Sequence, residues 1–453
     1  MSKKNKFISS LAFIGFSIFF NTSSSFAVSL EEALRSALLS NEQFKILQES
    51  FLQSSEQLSR AVANSFMPKT NISSTISTNQ QIPNHNKVQF SNSIQTTLPI
   101  FSGGSGLALI KASHNDVMAA KYQYYKSEQD KILNLITLYI DYHVANEILK
   151  IRKASTKNAS QNYQAVKEKV NLGEATKTDL AFSEANFLQA QTEELSSLST
   201  KESKYQEFVT NFNVAPEETE LPVINSEEFK DQAFLINKGK KQNLDLKIYF
   251  HNVQSASANV TATFASVFFP KVSATGSLGD KVDVENIDFT NFGGEKTKAS
   301  WALNINIPIL SNGGQEFSDV RAARSRHRAQ SFNLANAEKT VKTAIQTSLS
   351  NYTTLQLSIN YSKTVVAAQK LYLRGVEQEY KLGNKSLLDL LQADSDLAKH
   401  QINYVQTLAN NIKSFYALKS LVGELTAKKL RLGVKVFDPA KVYNRKKLGF
   451  ISF

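Results

Sequence analysis

The segment Phe101-Ser102-Gly103-Gly104-Ser105-Gly106 follows an alternating stretch and opens a helical one, which is the position of a phosphate-binding loop. That chemistry requires Gly-Lys-Ser/Thr immediately ahead of the helix, so that an ammonium reaches the phosphates. Here Gly106 is followed by Leu107 and Ala108, and Lys111 comes too late. The six histidines, at 85, 114, 143, 251, 327 and 400, show no HExxH pattern and no short metal spacing. With no cysteine there is no disulfide, thiolate metal site, sulfur nucleophile or acylated cysteine at a processed N-terminus. No catalytic constellation stands out, so neither an enzyme nor a cofactor is expected.

The formal charge of +12 suggests nucleic acid until it is divided along the chain. Lys3, Lys4 and Lys6 carry part of it; Lys428, Lys429, Arg431, Lys435, Lys441, Arg445, Lys446 and Lys447, opposed by Asp438, carry most of the rest. The long body between is nearly neutral, without the clustered excess that displaces counterions from phosphates. A local run, Arg321, Arg324, Arg326 and Arg328, suits either anionic headgroups or a solvated face. The first 27 residues have the layout of an export signal: a basic start, an apolar stretch over 7–20 and a small-x-small site at Ser25-Phe26-Ala27. Fourteen apolar residues are short of the roughly 20 that span a bilayer as a helix. No later stretch reaches that length, so any membrane insertion must use strands.

The body is duplicated. Asn41, Lys45 and Ile46 recur as Asn243, Lys247 and Ile248, and Phe66 and Pro68 as Phe268 and Pro270. Pro99, Gly103 and Gly104 return as Pro308, Gly313 and Gly314; Leu172, Gly173 and Asp179 return as Leu382, Gly383 and Asp389. Four anchors in one order divide the chain into repeats at 28–223 and 224–427, followed by a basic tail at 428–453. In each, a continuous helical segment (30–65 in the first) stops at proline, which lacks an amide hydrogen. A hairpin follows, at about 69–100 and 271–309, closed by 83–87 in one copy and 280–297 in the other. Val88, Phe90, Ile94 and Leu98 oppose Gln89, Ser91, Ser93, Gln95 and Thr97; Trp301, Leu303, Ile305 and Ile307 oppose Ser300, Ala302, Asn304 and Asn306. Period two gives one dry face and one wet face.

After each Gly-Gly pair comes a proline-free stretch, 104–172 and 314–382, which as one helix would run about 100 Å. Val341, Ile345, Tyr352, Leu355, Ile359, Val366, Leu373, Val376 and Tyr380 form a heptad stripe. Leu390, Leu397, Tyr404, Leu408, Phe415, Leu418 and Val422 provide its partner, interrupted by Asp394, Gln401 and Asn411. Two antiparallel coiled-coil hairpins follow, with tips at 173–178 and 383–388 and return helices at 179–212 and 389–422. Gly173 and Gly383 suit the left-handed turn that ends each long helix.

Four strands cannot close a barrel, and lipid tolerates no open sheet edge, so other copies must complete the sheet. Two chains would give eight strands and three would give twelve, and a twelve-stranded barrel would be on the order of 24 Å across.

This order of helix, Pro, hairpin, P-x-(F/L)-S-x-G, very long helix, L-G-x-x-x-x-x-D and returning helix resembles the TolC-type outer membrane factors, over nearly all of 28–427. The resemblance implies a mixed architecture, all-α plus a membrane β-barrel. Three chains would form a twelve-stranded β-barrel in the outer membrane, continuous with a twelve-helix α-barrel in the periplasm. It further implies a passive exit duct for a tripartite efflux pump or type I secretion system, working with a periplasmic adaptor and an inner-membrane transporter of RND or ABC type. On the matching positions it assigns an entrance gate to Thr178, Asp179, Tyr380 and Lys385, an aspartate ring to Asp389, and adaptor docking to the tips around Gly173 and Gly383. Gln392 stands where a second ring Asp is common in the family, which reduces the field that such a ring concentrates. Two other readings remain: a stand-alone porin, against which stands the preponderance of helix, and a periplasmic coiled coil, which leaves the alternating strands unexplained. The basic tail has no assigned role and is expected to lie loose in the periplasm.

Overall fold

The structure is a computed structural model that describes residues 28–80, 86–216, 218–225, 229, 231–283, 298–309, 313–434 and 437–448. The proposed export signal and both hairpin loops lie wholly or largely outside these residues. The elements run α1 (Leu30–Ser40), α2 (Glu42–Phe66), β1 (Lys69–Gln80), β2 (Asn86–Ser102), α3 (Ser105–Asn171) and α4 (Lys177–Phe212). The second half runs α5 (Gln232–Gln242), α6 (Leu244–Phe268), β3 (Lys271–Asp283), β4 (Lys298–Asn306), α7 (Gln315–Lys381), α8 (Leu387–Leu421) and α9 (Pro439–Leu448).

The helical stretch expected over 30–65 is two helices, and the break falls at the duplicated asparagine. Asn41 has extended backbone and accepts from the Gln43 amide, while Asn243 accepts from Leu246 at 3.1 Å. Each caps the second helix with its side chain, which a helical backbone at that position would not allow. β3 continues through Asp283, past the point where the second hairpin loop was expected to begin, and β4 ends at Asn306.

The four strands form one antiparallel sheet in the order β1-β2-β3-β4. Ile72, Ile94 and Leu278 are in register on one face, and Leu98, Ala274 and Leu303 form a second row on it. Trp301, 87% exposed, shares that face. The opposite face is a ladder of small polar side chains: the Ser73 and Ser93 hydroxyls lie 2.8 Å apart, those of Ser277 and Ser300 2.7 Å, and Asn304 donates to Thr275 at 3.1 Å. β1 and β4 each pair on one side only among the described residues. The helices beneath keep the same order, with α2 on α3, α3 on α6 and α6 on α7, so strands and helices form one continuous wall.

α3 and α7 are each 67 residues long, and each begins after a Gly-Gly turn with both glycines at positive φ. Midway along the wall, α1, α5 and the residues after α8 add an outer layer around the main core. That core gathers Leu34, Ile136, Tyr139, Ile140, Phe208, Phe212, Ile412 and Leu425. The described part of the tail is not loose, because apolar residues within it complete this core: Leu432 is buried in it, and Leu430 and Val434 pack against it. Further on, Phe437 meets the rings of Phe51 and Tyr124, and Tyr443 packs on Leu58 and Val117 with its hydroxyl against His114.

Glu128 on α3 is buried, and its burial pushes the carboxyl up to about 7. The unfolded chain ionises it near 4.5, so the folded state retains a proton that unfolding releases between these values. Stability from this group is therefore intact at pH 4 and falls as pH rises through 7, by about 3 kcal/mol in full. Glu128→Gln should raise the thermal midpoint at pH 8 and leave it nearly unchanged at pH 4; equal gains at both would contradict the ionisation argument.

Candidate functional site

The two tips are built by the same local chemistry. α3 ends with the Gly173 amide donating to the Val170 carbonyl (3.1 Å) and Glu174 to Lys169 (2.8 Å); α7 ends with Gly383 donating to Tyr380 (3.0 Å) and Asn384 to Glu379 (2.8 Å). Gly173 and Gly383 have φ of 77° and 80°, with open space where a Cβ would sit. Their glycine is therefore required by dihedral and not by crowding. The return helices start at Lys177 and Leu387, inside the stretches expected to be tips. Both starts are capping boxes. Thr176 accepts from the Asp179 amide at 3.1 Å and donates its hydroxyl to Asp179 Oδ2 at 2.7 Å; Ser386 does the same with Asp389 at 3.2 and 2.7 Å.

These caps take up one carboxylate oxygen of each residue matched to the gate and the ring. Hydrogen bonds from Thr176 hold the Asp179 carboxyl below its usual range; those from Ser386, with a smaller contribution from Lys385, do so for Asp389. Both aspartates are ionised at neutral pH, and the capping boxes use only Oδ2 of each. Within the chain Asp179 and Lys385 form no ion pair among the described residues. Thr178 is exposed on the first turn of α4, Lys385 is half-buried, and Gln392 is exposed, donating to Asp396 on its own helix at 3.1 Å.

What joins the two hairpins near their tips is different. Lys169 of α3 places its ammonium 4.8 Å from the centroid of the Tyr380 ring on α7. Val166 of α3 is buried with Leu387 and Leu391 of α8, flanked by Val170, Leu180 and Tyr380. Higher up, Asn158 of α3 donates to Asp394 of α8 at 2.9 Å. Burial raises the Asp394 carboxyl, partly offset by that hydrogen bond. Of the gate residues named from sequence, then, the chain itself engages Tyr380, and it does so through Lys169. Sequence reading missed Lys169 and Asn158, because a polar residue on a long helix is ordinary and their partners lie more than 200 residues away. Asn411, an interruption of the stripe, is buried and donates to the Tyr352 carbonyl at 3.3 Å.

No cluster of three or more metal-ligating side chains occurs among the described residues, and no helix there is long and apolar enough to cross a membrane.

The chain is 24% identical to the outer membrane efflux protein BepC of Brucella suis, over 77% of this chain and 75% of BepC. It is 23% identical to the outer membrane protein TolC of Escherichia coli, over 75% of this chain and 70% of TolC. Its fold superposes on the CmeC outer membrane channel of Campylobacter jejuni with a TM-score of 0.76 at 18% identity, covering 99% of this chain and 98% of that one. The open state of the MtrE outer membrane channel of Neisseria gonorrhoeae gives 0.71 at 19% identity, over 88% and 90%. Members of this family are channels and not enzymes. With its family match over residues 34–202 and 235–424, and with that channel fold, the chain belongs to the outer membrane efflux protein family and is an outer membrane exit duct of the TolC type.

Proposed function

We propose that three copies of the chain close into one duct, a twelve-stranded β-barrel over a twelve-helix barrel, serving a tripartite efflux pump or type I secretion system. The observation that carries this is the four-stranded sheet whose two edges are unpaired among the described residues, with one apolar face and one face of hydroxyls and amides. Open edges are untenable in hydrocarbon, and the rotation that pairs β4 of one copy with β1 of the next removes them. The helices in line below each strand continue the bore into the periplasm. A periplasmic adaptor would seat in the grooves around the Gly173 and Gly383 tips, and an inner-membrane transporter of RND or ABC type would energise the cargo. The duct performs no chemistry.

The entrance closes at the tips. Asp179 and Asp389 each keep one carboxylate oxygen free of their caps, and Lys385 has no carboxylate within ion-pair distance among the described residues. Between neighbouring copies these groups form the tether, with Thr178 and Tyr380 beside it, and Asp389 forms the ring that narrows the bore, while Gln392 leaves that ring single. An exposed ion pair contributes about 0–1 kcal/mol, weak enough for a docking adaptor to break. Lys385→Glu converts attraction to repulsion in all three copies and should raise single-channel conductance in planar bilayers severalfold. Conductance equal to the parent at every voltage would remove Lys385 from the gate.

A further inference from the structure

Around the middle of the helical wall, three lysines from different elements converge. Lys121 of α3 and Lys247 of α6 place their ammonium groups 5.5 and 5.2 Å from the centroid of the Tyr122 ring. His251, one turn beyond Lys247, stacks on that ring with centroids 5.5 Å apart and planes at 15°, and its Nδ1 lies 3.1 Å from Asn115 Oδ1. Lys429, from the segment after α8, reaches in to donate to Gln242 Oε1 at 2.8 Å and the Gly423 carbonyl at 2.9 Å. The carboxylates close by are already matched to other lysines: Asp245 and Asp130 to Lys126, and Glu424 to Lys238. Among the described residues, Lys121, Lys247 and Lys429 have no carboxylate within ion-pair distance. Burial, then Lys429 and Lys121, hold the Lys247 ammonium below its usual range, so the cluster opposes its own charge. Glu424 offsets part of this at Lys429, and the remaining cost calls for an anion that the described residues do not supply.

Position limits what that anion is. Lys121 lies about 24 Å along α3 from its start beneath the sheet, and Lys247 about 31 Å along α6 from its end there. Lipid headgroups at the barrel rim are thus two or more screening lengths away, at about 8–10 Å each. The seam between α3 and α6 is central in the wall α2-α3-α6-α7, away from the edges where a second copy joins. Lys429 belongs to the added layer, and a duct keeps its bore clear, so this face is the outer one. The basic character also spreads sideways, through exposed Lys240 and Lys241 at the end of α5 and exposed Lys428. A protein partner would be met by an apolar centre with a polar rim, whereas a band of ammonium groups fits a repeating polyanion.

We propose that this collar binds the carboxylates of peptidoglycan, the anionic polymer lying in the periplasm beneath the outer membrane. The inference rests on the helical wall being periplasmic, as in the reading above. The Tyr122 ring and its two flanking ammonium groups form the contact, and three copies would present it three times around the duct, so that weak single contacts add by avidity.

The test is co-sedimentation of the detergent-purified full-length protein with purified sacculi. Binding should be lost between low and high salt, should weaken about tenfold in Lys121→Glu/Lys247→Glu, and should persist in Lys45→Glu, whose lysine is exposed and paired elsewhere. Sacculi whose carboxylates have been amidated should no longer retain the protein. No sedimentation, or sedimentation unaffected by the double variant or by amidation, overturns the proposal. Retention on immobilised polyglutamate without binding to sacculi also overturns it, in favour of an acidic protein partner. Planar-bilayer conductance of the same parent preparation reports separately on the duct, so a failed collar and a failed channel reading are distinguishable.

Discussion

Ile94→Arg is expected to remove the protein from the outer membrane, while Ser93→Arg leaves it assembled there. Ile94 sits at the middle of β2 (Asn86–Ser102), in register with Ile72 and Leu278 on the apolar face. A guanidinium facing lipid near the bilayer midplane costs about 2–4 kcal/mol per copy, which in the proposed three-copy barrel would be roughly 6–12 kcal/mol. That is comparable with the whole folding stability of a typical domain, so heat-resistant oligomer should vanish from outer membrane fractions. Ser93 is the adjacent residue and points to the other face, where it meets Ser73 and water. Arginine there adds positive charge to the bore, which should lower conductance and shift selectivity toward anions. Equal assembly of both variants in the membrane would show that the sheet does not face lipid as its register indicates.

Tyr139→Ala should cost about 3–5 kcal/mol, through the collar core and not the membrane. Tyr139 is fully buried, with its ring 6.0 Å from that of Phe208, which in turn lies 4.3 Å from Phe212. Its hydroxyl donates between the Val28 carbonyl at 2.7 Å and the Glu220 carbonyl at 2.9 Å, and accepts from the Glu220 amide at 3.2 Å. Burial pushes the phenol up to about 12, so it stays a neutral donor at any physiological pH. Three backbone groups of two connecting segments thus depend on one side chain of a helix. Tyr139→Phe keeps the ring and should cost about 1–2 kcal/mol, which isolates the hydrogen bonds from the volume. Both are read as the shift in heat-dissociation midpoint of the purified oligomer. Equal shifts for the two variants would mean that the ring contributes nothing.

The architecture was legible because it is written in periodicities that need no tertiary context. Alternation over Ile94 and Leu98 against Ser93, Gln95 and Thr97 can only be a two-faced strand, and a heptad stripe from Val341 to Tyr380 can only be a long helix with a partner. The recurrence of Gly173 and Asp179 as Gly383 and Asp389 located both tips for the same reason: helix ends are local chemistry. Even the break that sequence reading passed over was signalled locally, since Asn41 and Asn243 recur as a pair and each caps a helix.

What required the folded chain were contacts between residues far apart in sequence. The caps on Asp179 and Asp389 are the exception, being local: Thr176 and Ser386 stand three residues before them as capping boxes. The Lys169–Tyr380 and Asn158–Asp394 links join positions more than 200 residues apart and depend on which helix faces lie together, a property of packing angle that no single helix encodes. The tail was misjudged for a similar reason. Its net charge is a property of composition and suggested a solvated end, whereas Leu432 and Tyr443 are buried against apolar side chains of α1, α2 and α3. Composition and period thus set the elements and their order, while the register between distant faces, decided by burial, set which polar groups remain free to act.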